Sequence, residues 1–360
     1  METRPVIIIG GGIWGCLLAY RLKTHRPEII FKLYEPTHDV GEGLSWTFHQ
    51  GDLNPEAARW IRPFVSKSWG SYQVEFPKFT KIISNKFNLI HSSQFEKVLK
   101  EILPENIYHN DEIDIEDALV EGRFVIDTRN FGHFKPRGFQ KSLGFNFKLK
   151  IPHELRSPIT MDTKIPQLDG FRYLQFFPLS ESELLVRDVR HSQNPSFHTG
   201  SIKQDMIDEM IKRGWEIESV DDGQEFSLNG VPDTEVSVRS EGRVINLSGL
   251  FHDTTGDALP DAVRLIDRMV QTSFRLGELK EVVKNYRMER EANRKYFRYL
   301  NRSQNNQQIF QCLYQMPSLL RSKFYAGEIE FLDLCWALLG LKPQLLNIAK
   351  LPKLLTAIRG

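Results

Sequence analysis

The chain has 360 residues and a formal net charge of +1, with 26% charged and 41% hydrophobic residues. So even a balance argues against a nucleic-acid partner, and the length suits two or three globular substructures. Cys16, Cys312 and Cys335 show neither metal-ligand spacing nor a disulfide framework, which fits a reducing, cytoplasmic setting. No signal peptide and no spanning helix are expected, since no apolar run reaches about 18 residues.

In chain order, the β-branched run Val6 to Ile9 enters Gly10, Gly12 and Gly15 in G-x-G-x-x-G spacing. A helical pattern carrying Leu17, Leu18 and Leu22 follows, and a second apolar run, Ile29 to Tyr34, ends at Glu35. That order is the βαβ unit that binds a dinucleotide. Gly10 allows the tight turn, Gly12 the approach of a pyrophosphate, and Gly15 close helix–strand packing. The helix N-terminus offers N–H groups to phosphate, and Glu35 can accept from ribose hydroxyls.

Residues 90–103 predict a helix capped by Ser92 or Ser93, with Phe95, Val98, Leu99 and Leu103 as its apolar stripe. Residues 123–127 predict a strand that runs into Asp127, Thr128 and Arg129. From about 138 to 190 the text is strand-rich, with glycine and proline breaks. A helix over 201–216, a strand over 243–248, a helix from about Pro260 to Leu276, and helix beyond about 279 follow. The nucleotide unit is therefore interrupted by a β-rich insert, as in flavoprotein hydroxylases. In those proteins a loop after a late strand completes the flavin site. Here that loop is 249–260, with Gly249, His252, Thr255 and Gly256 as candidate contacts beside Arg129.

The predicted fold class is α/β: a Rossmann-type, glutathione-reductase-like FAD-binding domain with an inserted β-rich substrate domain and a C-terminal helical segment. The expected boundaries are 1–60, 85–130 and 236–280 for the discontinuous FAD domain, and 61–84 with 131–235 for the substrate domain. Residues 281–360 form the helical region, whose tail from about Leu332 alternates leucines with Lys342, Lys350, Lys353 and Arg359 and suits a membrane surface.

Several segments together resemble the bacterial lycopene β-cyclases. They are Ser45-Trp46-Thr47-Phe48-His49 followed by Asp52-Leu53; Gly138-Phe139-Gln140 with Gly144; Met161-Asp162; Asp169-Gly170-Phe171-Arg172-Tyr173; and Gly249-Leu250-Phe251-His252 with Thr254-Thr255-Gly256. The resemblance runs in order from residue 6 to about 343. It implies FAD in its reduced form, NAD(P)H as reductant, and an acyclic carotene that is protonated at its ψ-end and closed into a β-ring without net redox change. It also implies a peripheral place on the inner face of the membrane and association with other carotenoid-pathway enzymes. Trp46, Phe48, His49, Phe171, Tyr173 and Phe176 are the expected lining of the polyene cavity.

Protonating an olefin needs a strong acid in a dry cavity, and aromatic faces or fixed negative charge near the cation. The family's adjacent acidic pair falls on Arg187-Asp188 here, so the first carboxylate is lost. Neighbours on a strand face opposite ways, so Asp188 cannot simply take over. Asp188 is still the first candidate acid, expected to face the cavity while Arg187 turns away or pairs with a carboxylate and holds it ionised. Asp162, Asp169 and Glu225 follow. Three readings stay open: a cyclase with a relocated acid, a diverged FAD-dependent polyene reductase or hydroxylase, and a non-catalytic carotenoid-binding homologue.

Overall fold

The computed structural model describes residues 4–38, 40–109, 111–129, 136–196, 198–232, 242–252, 256–301 and 306–326. The tail expected at the membrane, from Leu332 onward, lies outside them. Strands β1 (Val6–Ile9), β2 (Phe31–Glu35), β8 (Ile107–His109), β9 (Phe124–Asp127) and β15 (Val244–Asn246) form a parallel sheet in the order β15-β9-β1-β2-β8. Period-2 alternation splits β1 between two cores. Val6 and Ile8 pack towards α1 (Ile13–His25) and α6 (Leu259–Val270), while Ile7 and Ile9 pack towards α4 (Ile115–Glu121). The late strand thus returns beside β9, as the interrupted reading predicts.

Two further sheets are built from the chain between the strands of the parallel sheet. A three-stranded antiparallel sheet joins β3 (Trp46–His49), β4 (Lys67–Trp69) and β7 (Phe87–Ile90). A seven-stranded sheet is built from β5 (Tyr72–Phe76), β6 (Phe79–Ile83), β10 (Pro136–Leu149), β11 (Ile159–Asp162), β12 (Phe171–Pro178), β13 (Glu183–Ser192) and β14 (Ile217–Pro232). Its order is β14-β10-β13-β12-β11-β5-β6, with β11 and β5 parallel and the other neighbours antiparallel. β14 escaped the sequence reading because it is an edge strand. Its text, VDDGQEFSLNG, lacks apolar alternation, and it pairs only with β10.

Both faces of this sheet are covered. Leu174, Phe176, Leu184 and Val186 pack under α5 (Thr199–Lys212) through Ile202, Met206 and Met210. Tyr173, Phe177, Leu185 and Val189 pack under α8 (Asn306–Gln315) and α9 (Ser318–Ala326) through Phe310, Leu313 and Phe324. The helices α2 (Pro55–Ile61), α3 (Ser92–Ile102) and α7 (Leu276–Asn301) complete the described chain. α3 is capped by the His91 ring, which accepts from the Ser93 N–H, and not by Ser92 or Ser93 as expected. Among the described residues no helix is long and apolar enough to cross a membrane.

Candidate functional site

At the carboxyl end of β1 the chain turns at Gly10, whose φ of +102° suits glycine. α1 then starts at Gly12 with no side-chain cap and no acidic residue in its first turn, so its leading N–H groups face the cleft. A Cβ on Gly15 would lie 1.9 Å from the Gly10 carbonyl oxygen, which is why this helix can sit so close to the strand turn. Glu35 closes β2. Its Oε2 accepts the Gly11 N–H at 2.6 Å, and its Oε1 accepts the Thr37 N–H and hydroxyl at 2.9 and 2.7 Å. Arg129 stands at the same rim, held bidentately by buried Asp127 at 2.9 and 3.0 Å.

A second helix start opens on this cleft. α6 begins after Ala258 without a side-chain cap, and Ala258, Pro260 and Gly256 line the cavity. His252 lies beside them, 2.9 Å from the Phe324 carbonyl through Nε2. Burial pushes its pKa down to about 4, so it is neutral. Gly249, at a φ of +68°, makes the turn that leads there and is off the cavity wall. Thr255 lies outside the described residues. Two uncapped helix N-termini, a glycine cradle and a ribose-side carboxylate are the parts a dinucleotide needs.

From this cleft one cavity of about 810 Å³ runs on between β3 and the seven-stranded sheet. Its far end is aromatic, with His49, Phe87, Tyr173, Tyr314 and Tyr325 on the wall. Burial raises the phenols of Tyr173, Tyr314 and Tyr325 well above the ordinary value, so they present neutral rings. Trp46 and Phe48 line the cavity as predicted. Phe171 does not: it stacks on Phe310, with centroids 5.1 Å apart. Phe176 is on the opposite face of β12, against Trp215 and Arg213.

The parity of β13 corrects the expected acid. Arg187 and Val189 line the cavity, and Asp188 points the other way, under α5. There the Asp188 carboxylate accepts from Arg172 at 2.7 Å and from Arg190 at 2.8 and 3.0 Å, and Arg172 reaches on to Asp205 of α5. Asp188 therefore ties α5 to the sheet. Replacing it with asparagine leaves two buried guanidiniums short of charge and is expected to cost about 3 kcal/mol in denaturant unfolding, with cofactor binding retained. Asp162 is also off the cavity. Burial raises its pKa against the pull of Arg213, which donates to it at 2.5 Å. Asp169 pairs with Lys141 at 2.6 Å at the sheet margin.

Glu225 is also off the cavity lining, but it sits directly behind Arg187, which is on it. Arg187, Gly144 and Glu225 stand opposite one another on β13, β10 and β14, in one row on one face. Gly144 has no side chain to fill the middle of the row. A Cβ there would meet Arg187 Cγ at 2.9 Å and Glu225 Oε2 at 3.2 Å. The guanidinium crosses this gap and donates to Glu225 through Nε at 2.7 Å and Nη2 at 2.6 Å. Ser45 donates from its hydroxyl to the other Glu225 oxygen, and its carbonyl accepts from Arg187. Arg187 thus does not turn away; it pairs with a carboxylate. The sequence reading missed Gly144 as the residue that makes room for the pair. It also missed the cavity role of Tyr314, which no motif marks, and of Tyr325, which falls in the segment Arg321 to Gly327 that resembles the family's tail.

A family model described as lycopene cyclase protein matches residues 5–349. The chain is similar to the lycopene β-cyclase of Pantoea ananas, at 28% identity over 377 aligned positions covering 98% of each chain. It is also similar to that of Pseudescherichia vulneris, at 28% over 369 positions and 94% of each. Among solved structures, a geranylgeranyl bacteriochlorophyll reductase-like protein of Thermoplasma acidophilum matches with a TM-score of 0.62 at 12% identity, covering 98% of this chain and all of that one. A 2-methyl-3-hydroxypyridine-5-carboxylic acid oxygenase matches with a TM-score of 0.55 at 12% identity, covering 91% and 96%. These two likenesses establish the α/β fold.

Proposed function

Because this chain belongs to the lycopene cyclase protein family, we propose that it closes a β-ionone ring on lycopene or a related acyclic carotene, as an isomerase with no net redox change. The observation that carries the reading is the single cavity that joins the dinucleotide cleft to an aromatic chamber. A polyene end in that chamber lies among neutral rings, whose faces stabilise a carbocation and whose bulk excludes water. The insert then acts as the substrate domain and the parallel sheet as the nucleotide domain.

The cleft fits FAD. Gly10 and Gly12 would cradle the pyrophosphate at the start of α1, which Gly15 lets sit close to the strand turn; Glu35 would take the ribose, and Arg129, His252 and Gly256 would border the ring system. Bound in its reduced form, with NAD(P)H as the source of electrons, FAD supplies negative charge beside the carbocation. The start of α6 helps to hold that charge through its N–H groups. Arg187 is compatible with this chemistry because Glu225 cancels its field in the chamber. The substrate partitions into lipid, so the protein works at the inner membrane surface, alongside enzymes that make or consume the same carotene.

One observation favours a second reading. A guanidinium on the cavity wall suits a FAD-dependent polyene reductase or hydroxylase, which generates no free cation, better than it suits a cyclase. Supplying lycopene to the protein in a host that makes no other carotenoid separates the two. A β-ring product is expected. A hydrogenated or hydroxylated product supports the second reading, and unchanged lycopene bound to the protein removes both. Sedimentation of the same preparation with anionic liposomes is expected, and a protein that stays in the supernatant sinks the membrane-surface proposal.

A further inference from the structure

The cyclase reading needs a proton donor, and the four carboxylates chosen from the sequence do not supply one at the cavity wall. Asp188, Asp162 and Asp169 lie elsewhere, and both oxygens of Glu225 are engaged by Arg187 and Ser45. Of the carboxylates on the wall, Glu35 serves the glycine turn, Asp261 takes Tyr286 and Arg290, and Asp257 stands between Gly256 and Ala258 at the start of α6, on the dinucleotide side of the cavity.

Asp52 differs. It lines the same cavity at 5% exposure, at the end of the turn that follows β3. His49 and Asp52 close a reciprocal box across this turn. The His49 main-chain N–H donates to Asp52 Oδ2 at 2.8 Å, and the His49 ring accepts from the Asp52 main chain. The box uses one carboxyl oxygen and one ring nitrogen. Among the described residues nothing donates to Asp52 Oδ1, although the carboxyl is fixed at its other oxygen. Arg264 of α6 holds the Asp52 carbonyl, which anchors the turn from below. Around this carboxyl the His49 ring packs 5.1 Å from Tyr72, 5.1 Å from Phe87 and 4.9 Å from Tyr325, measured between centroids.

Resting on the cyclase reading, we propose that Asp52 is the catalytic proton donor of this chain and His49 its positioning residue. The Asp52 O–H bond breaks and its proton forms a C–H bond at the terminal double bond of the polyene. The resulting cation is attacked by the next double bond along the chain, which closes the six-membered ring through a new carbon–carbon bond and leaves the positive charge inside the ring. Loss of a ring proton to the Asp52 carboxylate leaves the ring double bond and restores the acid, so atoms and electrons balance without a co-reactant. The His49 N–H aimed at Oδ2 stands where charge grows as the proton leaves. The capping turn engages Oδ2, while the Asp52 carboxyl belongs to the cavity wall. The donor thus comes from the β3 side of the cavity, across from the strand where the family carries its own acid and this chain carries Arg187.

The test uses the whole chain with its cofactor and lycopene. Asp52→Asn keeps the shape and the Oδ position, and is expected to lose ring formation by about 10³-fold while it still binds FAD and still co-purifies with unchanged lycopene. Asp52→Glu keeps an acid and is expected to retain measurable ring formation. His49→Phe is expected to lower kcat with little change in KM, and His49→Gln, which keeps a ring-nitrogen substitute as acceptor, to recover part of it. Asp52→Asn with more than a tenth of wild-type ring formation overturns the assignment and leaves the cyclase reading standing. A wild type that forms no ring removes the cyclase reading, and the assignment with it. Should Asp52→Asn fail to hold FAD, the comparison of Asp52→Glu with wild type decides: complete loss of ring formation in a folded, lycopene-binding Asp52→Glu also counts against the assignment.

Discussion

Gly15→Ala is expected to abolish cofactor binding and to destabilise the fold, although it adds one methyl group. The new Cβ would stand 1.9 Å from the Gly10 carbonyl oxygen and 3.2 Å from Leu33 Cδ1. The first clash is with backbone at a turn that is itself fixed by its φ of +102° and by the Gly10 N–H bond to the Tyr34 carbonyl at 2.9 Å. α1 cannot retreat either, because its residues from Ile13 to Leu22 are all buried. Relief must come from moving the helix off the strand. That opens the glycine cradle and costs about 3 kcal/mol, at the upper end of overpacking penalties. Flavin retention on purification and a thermal melt check this together. A variant that binds FAD as wild type does would show that close approach of α1 is not needed.

Glu225→Gln is the second large effect. Arg187 is 8% exposed and Glu225 6%, so the pair is taken out of water almost entirely. Such a pair adds little over well-packed apolar residues, but breaking it strands a buried charge and costs about 3–5 kcal/mol. The stranded group here is a guanidinium on the wall of the polyene cavity, so ring formation is expected to fall with stability. Arg187→Met combined with Glu225→Gln removes both charges and is expected to regain most of the loss, because the glycine gap at Gly144 accepts the unbranched Met side chain. Urea unfolding of the two single variants and the double variant gives the coupling directly. Strict additivity would mean that the two side chains do not act as a pair.

Much of the architecture was readable before the structure. Val6 to Ile9, the glycine spacing and Glu35 name the βαβ unit because each depends on local geometry: a buried strand, a turn needing positive φ, a helix that must sit close. The late strand at 244–246 was readable for the same reason. The strand pairs of the insert were partly hidden. β14 reads as polar loop, and β4 to β7 are short and take meaning only from their partners, which for β5 and β7 include β11 and β3, distant in sequence.

The position of the acid could not be read. Alternation along β13 puts Arg187 and Asp188 on opposite faces whatever the fold, and the sequence alone determines that. It does not determine which face meets the cavity. Leu184 and Val186 are as apolar as Leu185 and Val189, since the sheet is buried on both sides and hydrophobicity carries no sign. The sign came from α5, whose Ile202, Met206 and Met210 claim the face of Asp188 and leave Arg187 to the cavity. The Arg187, Gly144 and Glu225 row, and the setting of Asp52 among rings from β5, β7 and α9, are likewise contacts between residues far apart in the chain. They depend on register and packing, which only the tertiary structure decides.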